Sequence, residues 1–194
     1  EYWEQKLEQW EGFRDAQPNA AHEAVCKLEQ AQKVCMVVTQ NIDGLHARAG
    51  TTRELLVELH GTNLEVECQS CHERSDPGPH FEKFRKTQKA LLCHCGGHLK
   101  PATISFGQSL READLRKASL AAERADLVVA LGSTLSVHPA ASIPLMAANR
   151  GIPYVIINRG QTDQDHHPVV SLRLEGDVVE ILPPAVDAAL QADK

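Results

Sequence analysis

The sequence predicts an α/β fold, with a doubly wound parallel sheet and a smaller module inserted into it. Three short runs rich in β-branched residues have the composition of buried parallel strands, at 34–38, 126–132 and 152–158. Amphipathic patterns typical of helices separate them, over 112–124 and 140–150. Because strands that alternate with helices form parallel sheets covered on both faces, we expect a doubly wound sheet.

Both ends of the sequence are predicted to be helical. Apolar residues recur at helical spacing over 1–32, where Pro18 interrupts the pattern and Asn19 is a suitable N-cap for a second helix. After a last strand at 169–174, the pair Pro183-Pro184 is expected to begin a final helix, since proline is tolerated in a first turn.

The alternation of strands and helices stops between His60 and Phe106. This stretch contains short polar pieces, glycine, histidine and paired cysteines, and no long periodic segment is predicted within it. We therefore expect a discontinuous larger domain at 1–66 and 100–194, and an inserted module at 67–99.

The charge, the apolar runs and the cysteines limit the classes of function. The 194 residues include 20 Lys and Arg against 26 Asp and Glu, a formal net charge of -6, so direct nucleic-acid binding is not expected. The longest apolar runs are about five residues, far below the roughly 20 that cross a bilayer, so no membrane partner is predicted. Four of the six cysteines lie in two close pairs, a use typical of a reducing intracellular compartment. The prediction is a cytoplasmic protein, or a nuclear one in a eukaryote.

The paired cysteines have the spacing of a metal site. Two close pairs can fold two turns around one tetrahedral ion, and four thiolates leave no open position, so we predict one structural Zn2+. The expected ligands are Cys68, Cys71, Cys93 and Cys95. The second pair has a single intervening residue, so a neighbouring histidine could replace a thiolate, and four ordinary thiols are the alternative. The histidines concerned are His72, His94 and His98.

Polar residues follow three of the predicted strands. They lie at 39–43, 132–134 and 158–160, and the carboxyl edge of an open α/β sheet is where such folds bind ligands. The first of these segments and His60 supply amide, carboxylate and imidazole groups that could hold a carboxamide and relay a proton. Taken singly, each of these segments is also compatible with an ordinary turn, and His60 is also compatible with a surface histidine.

Together these motifs resemble the sirtuin family, the NAD-dependent protein lysine deacylases. The resemblance spans nearly the whole sequence in order, through 18–22, 39–50, 58–61, the cysteine module, 96–101 with 105–107, 132–141 and 157–158. It implies a Rossmann-like fold with a zinc-binding module. It also implies NAD as a co-substrate and an acyl-lysine protein or peptide as the partner.

The resemblance assigns roles to individual residues. It implies that His60 is the general base that acts on the NAD ribose after the acyl oxygen displaces nicotinamide, with Asn41 and Asp43 also needed for the chemical step. NAD would be bound by Gln40, Asn41, Ile42, Asp43, Gly132, Ser133, Thr134, Asn158, Arg159, Gly160, Asp177 and Val178. The peptide would add as a strand between two segments, where Phe106 and Val137 would line the acyl-lysine tunnel. The residues concerned are Ser105, Phe106, Gly107, Val137 and His138.

The sequence departs from the family pattern in several places. It has no equivalent of the family's glycine-rich loop and adjoining Asp-Phe-Arg element, which follow the first strand. We therefore expect an N-terminally truncated fragment that binds NAD poorly when expressed alone. Gln108 stands where an acidic residue commonly follows Phe-Gly, and Ala102 where Asp is frequent. The order Gly-Ser-Thr at 132–134 replaces the usual Gly-Thr-Ser, a change that should be tolerated.

Two other functions fit the same residues. Protein mono-ADP-ribosyl transfer would use the same pocket with a different acceptor, so label from NAD would appear covalently on protein. A noncatalytic zinc-bearing binding module would bind zinc and a partner without releasing nicotinamide. Deacylation is the preferred hypothesis because Gln40, Asn41, Asp43 and His60 are all present.

Overall fold

The structure is a computed structural model that describes residues 2–105 and 107–192. Its helices are α1 (Tyr2–Arg14), α2 (Ala20–Gln30), α3 (Leu45–Ala49), α4 (Pro77–Thr87), α5 (Glu112–Arg124), α6 (Ser142–Ala148) and α7 (Val178–Ala192). Its strands are β1 (Val37–Thr39), β2 (Leu56–Glu58), β3 (Gly61–Cys68), β4 (Arg74–Ser75), β5 (Leu99–Thr103), β6 (Val128–Leu131), β7 (Tyr154–Asn158) and β8 (Leu172–Glu175). None of the helices among these residues is both long enough and apolar enough to span a membrane.

The strands form three sheets in the described part of the chain. β1 and β2 pair in parallel, and β6, β7 and β8 form a second parallel sheet with β7 in the centre. β3 lies between β4 and β5 in an antiparallel sheet. The predicted α/β fold is therefore confirmed. The parallel strands nevertheless form two sheets, since no backbone ladder joins β1 to β6 within the described ranges.

Two apolar cores show that both parallel sheets belong to one layer. Val37 of β1 packs in the same core as Leu131 of β6 and Ile157 of β7, beneath α2 and α7. The next residue, Val38, packs on the other side with Val128 of β6, beneath α5 and α6. Because adjacent strand residues point to opposite faces, the layer carries helices on both faces, as a doubly wound fold requires.

Two of the predicted helices begin where the sequence indicates. Asn19 caps α2, because its Oδ1 accepts the N–H groups of Ala21 at 3.0 Å and His22 at 3.2 Å. α5 covers the predicted range, with Ala118 and Ala122 on its buried face. In both helices the local pattern and the packing agree, so the sequence is sufficient to locate them.

The end of the chain differs from the prediction. The expected new helix at Pro183-Pro184 is wrong, because α7 starts at Val178 and runs through both prolines. Each proline gives up one intrahelical hydrogen bond, and burial of Leu182 and Val186 against α2 offsets this loss. The last strand, expected at 169–174, begins three residues later as β8.

The stretch predicted to be an inserted module contains the 11-residue helix α4, which the expectation of short pieces without a long periodic segment did not include. Asp76 caps the helix by accepting the N–H of Gly78 at 2.6 Å, and a proline occupies the first turn. Phe81 and Phe84, one turn apart, are buried against Trp3 of α1. The module therefore folds against the N-terminal helix, and both helices pack on β3.

Gly61, at the start of β3, lies directly against the backbone of β5. Its φ is +75°, and a Cβ atom there would be 2.1 Å from the carbonyl oxygen of Ala102. Only glycine tolerates both the positive φ and the close approach of the neighbouring backbone. This contact helps to fix the preceding residue, His60, whose carbonyl oxygen accepts the N–H of Ile104 at 2.8 Å.

Gly61→Ala is expected to lower the free energy of unfolding by at least about 2 kcal/mol, because alanine is strained at positive φ and its methyl group meets backbone. Urea denaturation followed by circular dichroism measures the change. Gly12→Ala is the matched control, because nothing lies within 4 Å of that position inside α1 and alanine favours a helix interior. Equal stabilities of Gly61→Ala and the wild-type protein would contradict this account.

Candidate functional site

The carboxyl ends of the two parallel sheets meet at one edge of the layer. Gln40, directly after β1, donates a hydrogen bond from Nε2 to Oγ of Ser133, which follows β6, at 3.4 Å. Asn41 is exposed beside them. The structure thereby brings together 40–43 and 132–134, two segments that the resemblance assigned to NAD. A strand edge of this kind is the usual ligand site of open α/β sheets.

His60 contacts this edge from the turn between β2 and β3. Its imidazole is half-buried, and Nδ1 lies 3.0 Å from the carbonyl oxygen of Gln40. A carbonyl oxygen only accepts hydrogen bonds, so this contact assigns the proton of the neutral ring to Nδ1 and leaves a lone pair on Nε2. The ring is therefore oriented to act as a base through Nε2.

Backbone and side-chain contacts hold the segment after β1 in place. The carbonyl oxygen of Ile42 accepts the N–H of Asn63 at 2.9 Å, and Oδ1 of Asp43 accepts the N–H of Leu45 at 2.9 Å. Nδ2 of Asn63 is buried and has no hydrogen-bond partner among the described residues. A buried donor of this kind needs an acceptor from a ligand or a water.

Burial shifts the pKa values of three groups around Asp43. It raises the pKa of Glu58, and the carboxylates of Glu65 and Asp43 add to this effect. The rings of His22 and His46 lie 4.7 Å apart, and burial lowers the pKa of both against the attraction of Asp43. Both imidazoles are therefore neutral at pH 7, so neither places a positive charge beside Asp43.

The residues after β6 form a tight turn. Gly132 has φ +57°, and Oγ of Ser133 accepts the N–H of Leu135 at 3.1 Å. Oγ1 of Thr134 lies 2.8 Å from Oγ of Ser136. Small side chains, hydroxyl groups and turn N–H groups at a strand end suit the oxygen atoms of phosphate and ribose.

The turn after β7 is joined to the start of α7. Nδ2 of Asn158 donates to the carbonyl oxygens of Arg159 at 3.1 Å and Gly160 at 3.0 Å. Nη2 of Arg159 donates to Oδ2 of Asp177 at 2.6 Å, and Val178 is the first residue of the helix. The structure therefore brings together the two segments that the resemblance assigned to the adenosine end of NAD.

Arg173 of β8 supports this turn and was missed by the sequence analysis. Its Nη1 donates to the carbonyl oxygen of Asn158 at 3.0 Å, and its Nε donates to Oδ1 of Asp165 at 2.7 Å. Nη2 also donates to Oε2 of Glu175 at 2.9 Å. No local pattern in the sequence distinguishes this arginine, because only the pairing of β7 with β8 places it beside the turn.

The predicted peptide-binding residues lie in two loops. Ser105 follows β5 and begins a turn in which Gly107 has φ +86°. In the other loop, Val137 is 37% exposed, and Nδ1 of His138 lies 3.1 Å from a serine Oγ of α6. Phe106 lies outside the described residues. In the part of the chain that the structure describes, no backbone hydrogen bond joins one loop to the other.

The four predicted zinc ligands converge in the module, with all sulfur atoms within 4.8 Å of one another. Sγ of Cys68 lies 3.5 Å from that of Cys95, and Sγ of Cys71 lies 3.8 Å from that of Cys93. A tetrahedral ion with Zn–S bonds of about 2.3 Å has sulfur–sulfur edges of about 3.8 Å, so these separations fit one zinc ion. The N–H groups of Cys71 and Ser70 lower the pKa of the Cys68 thiol, whereas, against the effect of the Glu73 N–H, hydrogen bonds with neighbouring thiols raise the pKa of the Cys71 thiol.

Gly97 allows Cys93 and Cys95, the pair with a single intervening residue, to approach the sulfur atoms of the other pair. Its carbonyl oxygen accepts the N–H of Cys93 at 2.8 Å, and a Cβ atom on it would be 2.6 Å from Sγ of Cys68. Among the histidines considered as substitutes, His94 forms a second possible metal group with Glu73 and Cys93. The second group has three members: the exposed carboxylate of Glu73, the imidazole of His94 and the sulfur of Cys93, which also belongs to the group of four cysteines. The four thiols, by contrast, supply all four ligands of a tetrahedral ion.

Comparisons with known proteins agree with these motifs. The model of the Sir2 family matches residues 1–139. The NAD-dependent protein deacetylase of Haloarcula marismortui is 38% identical over 190 residues, which are 96% of this chain and 72% of that protein.

Two solved structures have the same fold. A Sir2 homologue–NAD complex has a TM-score of 0.88 and 32% identity, covering 99% of this chain and 72% of that chain. A Sir2 complex with a p53 peptide and NAD+ has a TM-score of 0.84 and 34% identity, covering 93% of this chain and 73% of that chain. Since a family model matches most of the chain and the similarity extends over nearly all of it, the chain belongs to the Sir2 (sirtuin) family.

Proposed function

We propose that this protein is an NAD-dependent protein lysine deacylase, which transfers the acyl group of a modified lysine to the ADP-ribose of NAD and releases nicotinamide. The observation that carries the proposal is the orientation of His60. Its Nδ1 is bound by the carbonyl oxygen of Gln40 at 3.0 Å, which leaves Nε2 free to accept a proton at the edge where two strands end. The relative from Haloarcula marismortui is named as a deacetylase with the same dependence on NAD.

In this reaction the acyl oxygen of the substrate lysine attacks the ribose carbon that bears nicotinamide, and nicotinamide leaves with the bonding electrons. Nε2 of His60 then accepts the proton of a ribose hydroxyl group, whose oxygen attacks the acyl carbon. Water completes the transfer, giving free lysine and an acyl ester of ADP-ribose. His60 therefore acts in the step after nicotinamide release and must lie within hydrogen-bond reach of the ribose.

The residues around His60 have complementary roles in the proposal. Gln40, Asn41, Ile42 and Asp43 line the nicotinamide and ribose pocket. Gly132, Ser133 and Thr134 bind phosphate and ribose oxygens. The adenosine end lies on Asn158, Arg159 and Gly160, and is covered by Asp177 and Val178. The contacts between Gln40 and Ser133 and between Arg159 and Asp177 support this arrangement, because they join neighbouring parts of the pocket.

The protein partner in the proposal is an acyl-lysine peptide, bound as an added strand between the loops of Ser105 and Val137. A Sir2 structure with a p53 peptide and NAD+ is among the similar structures. Residues 67–99 form the zinc module, in which zinc supplies structural cross-linking through the four cysteines. A reducing compartment, the cytoplasm or a nucleus, fits these thiols because oxidation to disulfides would remove the metal ligands.

His60→Ala is expected to lower the steady-state formation of deacetylated peptide, with NAD and an acetyl-lysine peptide as substrates, by at least about 100-fold, because the step after nicotinamide release loses its base. The assay uses the protein in its natural full length, and an unchanged melting temperature shows that the variant is folded. His166→Ala is the matched control, because His166 lies on an exposed loop and is expected to keep full activity.

Unchanged formation of deacetylated peptide by His60→Ala would overturn its role as the base. Transfer of label from NAD to protein would favour ADP-ribosyl transfer. A folded, zinc-loaded protein without any release would favour a binding module.

Removal of zinc is expected to change tryptophan fluorescence. The chain has two tryptophans, and both Trp3 and Trp10 pack on the cluster that contains Cys68 and Phe81. Cys68→Ser or a strong chelator should shift the emission to longer wavelength and lower the melting temperature, because the module loses its cross-link. Cys35→Ser is the control and should retain one zinc per chain, since Cys35 is exposed outside the module. A Cys68→Ser protein with full zinc content would contradict the proposed ligand set.

A further inference from the structure

We propose that Gln108 and Lys100 form a clamp that positions Ser105, which is bonded to Gln108 across a turn, for the acyl-lysine peptide. The inference rests on the proposed deacylase function and adds to it two positioning residues. Neither residue belongs to the predicted NAD, peptide or zinc sites. Their role follows from a set of contacts that converge on Oε1 of Gln108.

Gln108 binds both backbone polar groups of Ser105. Oε1 of Gln108 accepts the N–H of Ser105 at 2.9 Å, and the N–H of Gln108 donates to the carbonyl oxygen of Ser105 at 3.0 Å. Gly107 has φ +86°, a conformation that favours glycine, and among the described residues other than its chain neighbours nothing lies within 4 Å of a Cβ atom placed on it. Ser105 and Gln108 are therefore joined by one side-chain bond in addition to the backbone bond that closes the turn.

Lys100 ties this turn to the sheet. Its Nζ donates to the same Oε1 of Gln108 at 2.8 Å, and Lys100 lies in β5, which pairs with β3. The last residue before the turn, Ile104, donates its N–H to the carbonyl oxygen of His60 at 2.8 Å. Two contacts therefore hold the turn. One is the main-chain hydrogen bond between Ile104 and His60, and the other is the bond from Lys100 of β5 to Gln108.

The carboxylate opposite Lys100 in the ladder, that of Glu67, is bonded to two arginines, while Nζ of Lys100 is bonded to Gln108. Lys100 is partly buried and pairs with Glu67 across β3 and β5 in register. The carboxylate of Glu67 accepts Arg74 at 2.9 Å and Arg111 at 2.6 Å. No ion pair of Lys100 is formed among the described residues. Oε1 of Gln108 is therefore the acceptor that holds Nζ of Lys100 in this arrangement, and a carboxylate oxygen at position 108 has the same capacity to accept.

The clamp acts on peptide binding and not on the chemical step. A peptide that adds as a strand binds through main-chain groups, so its affinity depends on how well the receiving backbone is held in place. NAD binds at other strand ends in the proposal, and the base is His60. Loss of the clamp should therefore raise the KM for the peptide, with little change in kcat or in the KM for NAD.

The test is steady-state nicotinamide release by the natural full-length protein with an acetyl-lysine peptide. Gln108→Ala removes two hydrogen bonds and is expected to raise the peptide KM about tenfold, while kcat and the KM for NAD stay within about twofold. Gln108→Glu keeps an acceptor for both donors and should restore the wild-type KM within about threefold. Lys100→Met keeps the bond between Gln108 and Ser105 and should have an intermediate effect.

Hydrogen exchange provides a readout that does not depend on activity. The amide of Ser105 should exchange at least about tenfold faster in Gln108→Ala than in the wild-type protein, and at the wild-type rate in Gln108→Glu. If the wild-type protein releases no nicotinamide, the proposed function fails, and exchange still decides whether the clamp exists. A peptide KM that is unchanged in Gln108→Ala, or equally raised in Gln108→Glu, would overturn the proposal.

Discussion

The antiparallel pairing of β3 with β5 connects the candidate base, His60, with one of the four predicted zinc ligands, Cys68. The ladder runs from Gly61 opposite Thr103 to Cys68 opposite Leu99. One end lies next to His60 and the other end is a zinc ligand, so a single strand of eight residues spans both features. The close backbone approach at Gly61 sets the geometry at the first end. Loosening this pairing would therefore disturb the site and the module together.

The candidate site lies where two parallel sheets meet without pairing to each other. β1 and β6 share their apolar cores with α2 and α7 on one face and α5 and α6 on the other. Helix packing therefore determines how the strand ends face each other, and the hydrogen bond between Gln40 and Ser133 is a polar contact across the junction. A site held by packing on both sides can bind a long ligand such as a dinucleotide across its junction.

Features with a local cause could be predicted from the sequence. The cap at Asn19, the range of α5, the α/β class and the four converging thiols depend on residues close together in sequence or on a specific spacing. Features that depend on contacts between distant parts of the chain could not be predicted from the sequence. α7 continues through Pro183-Pro184 because its apolar face is buried against α2, and Arg173 is recognisable only once β8 lies beside β7.

The central claim is that Nε2 of His60 faces the ribose of NAD while Nδ1 stays bound to the carbonyl oxygen of Gln40. A crystal structure of the natural full-length protein with NAD and an acetyl-lysine peptide tests this directly. The account predicts a ribose hydroxyl oxygen within about 3.2 Å of Nε2, with the NAD chain passing from the end of β1 to the end of β7. A ribose bound beyond hydrogen-bond reach of His60, or a ring turned so that Nδ1 faces it, would contradict the account.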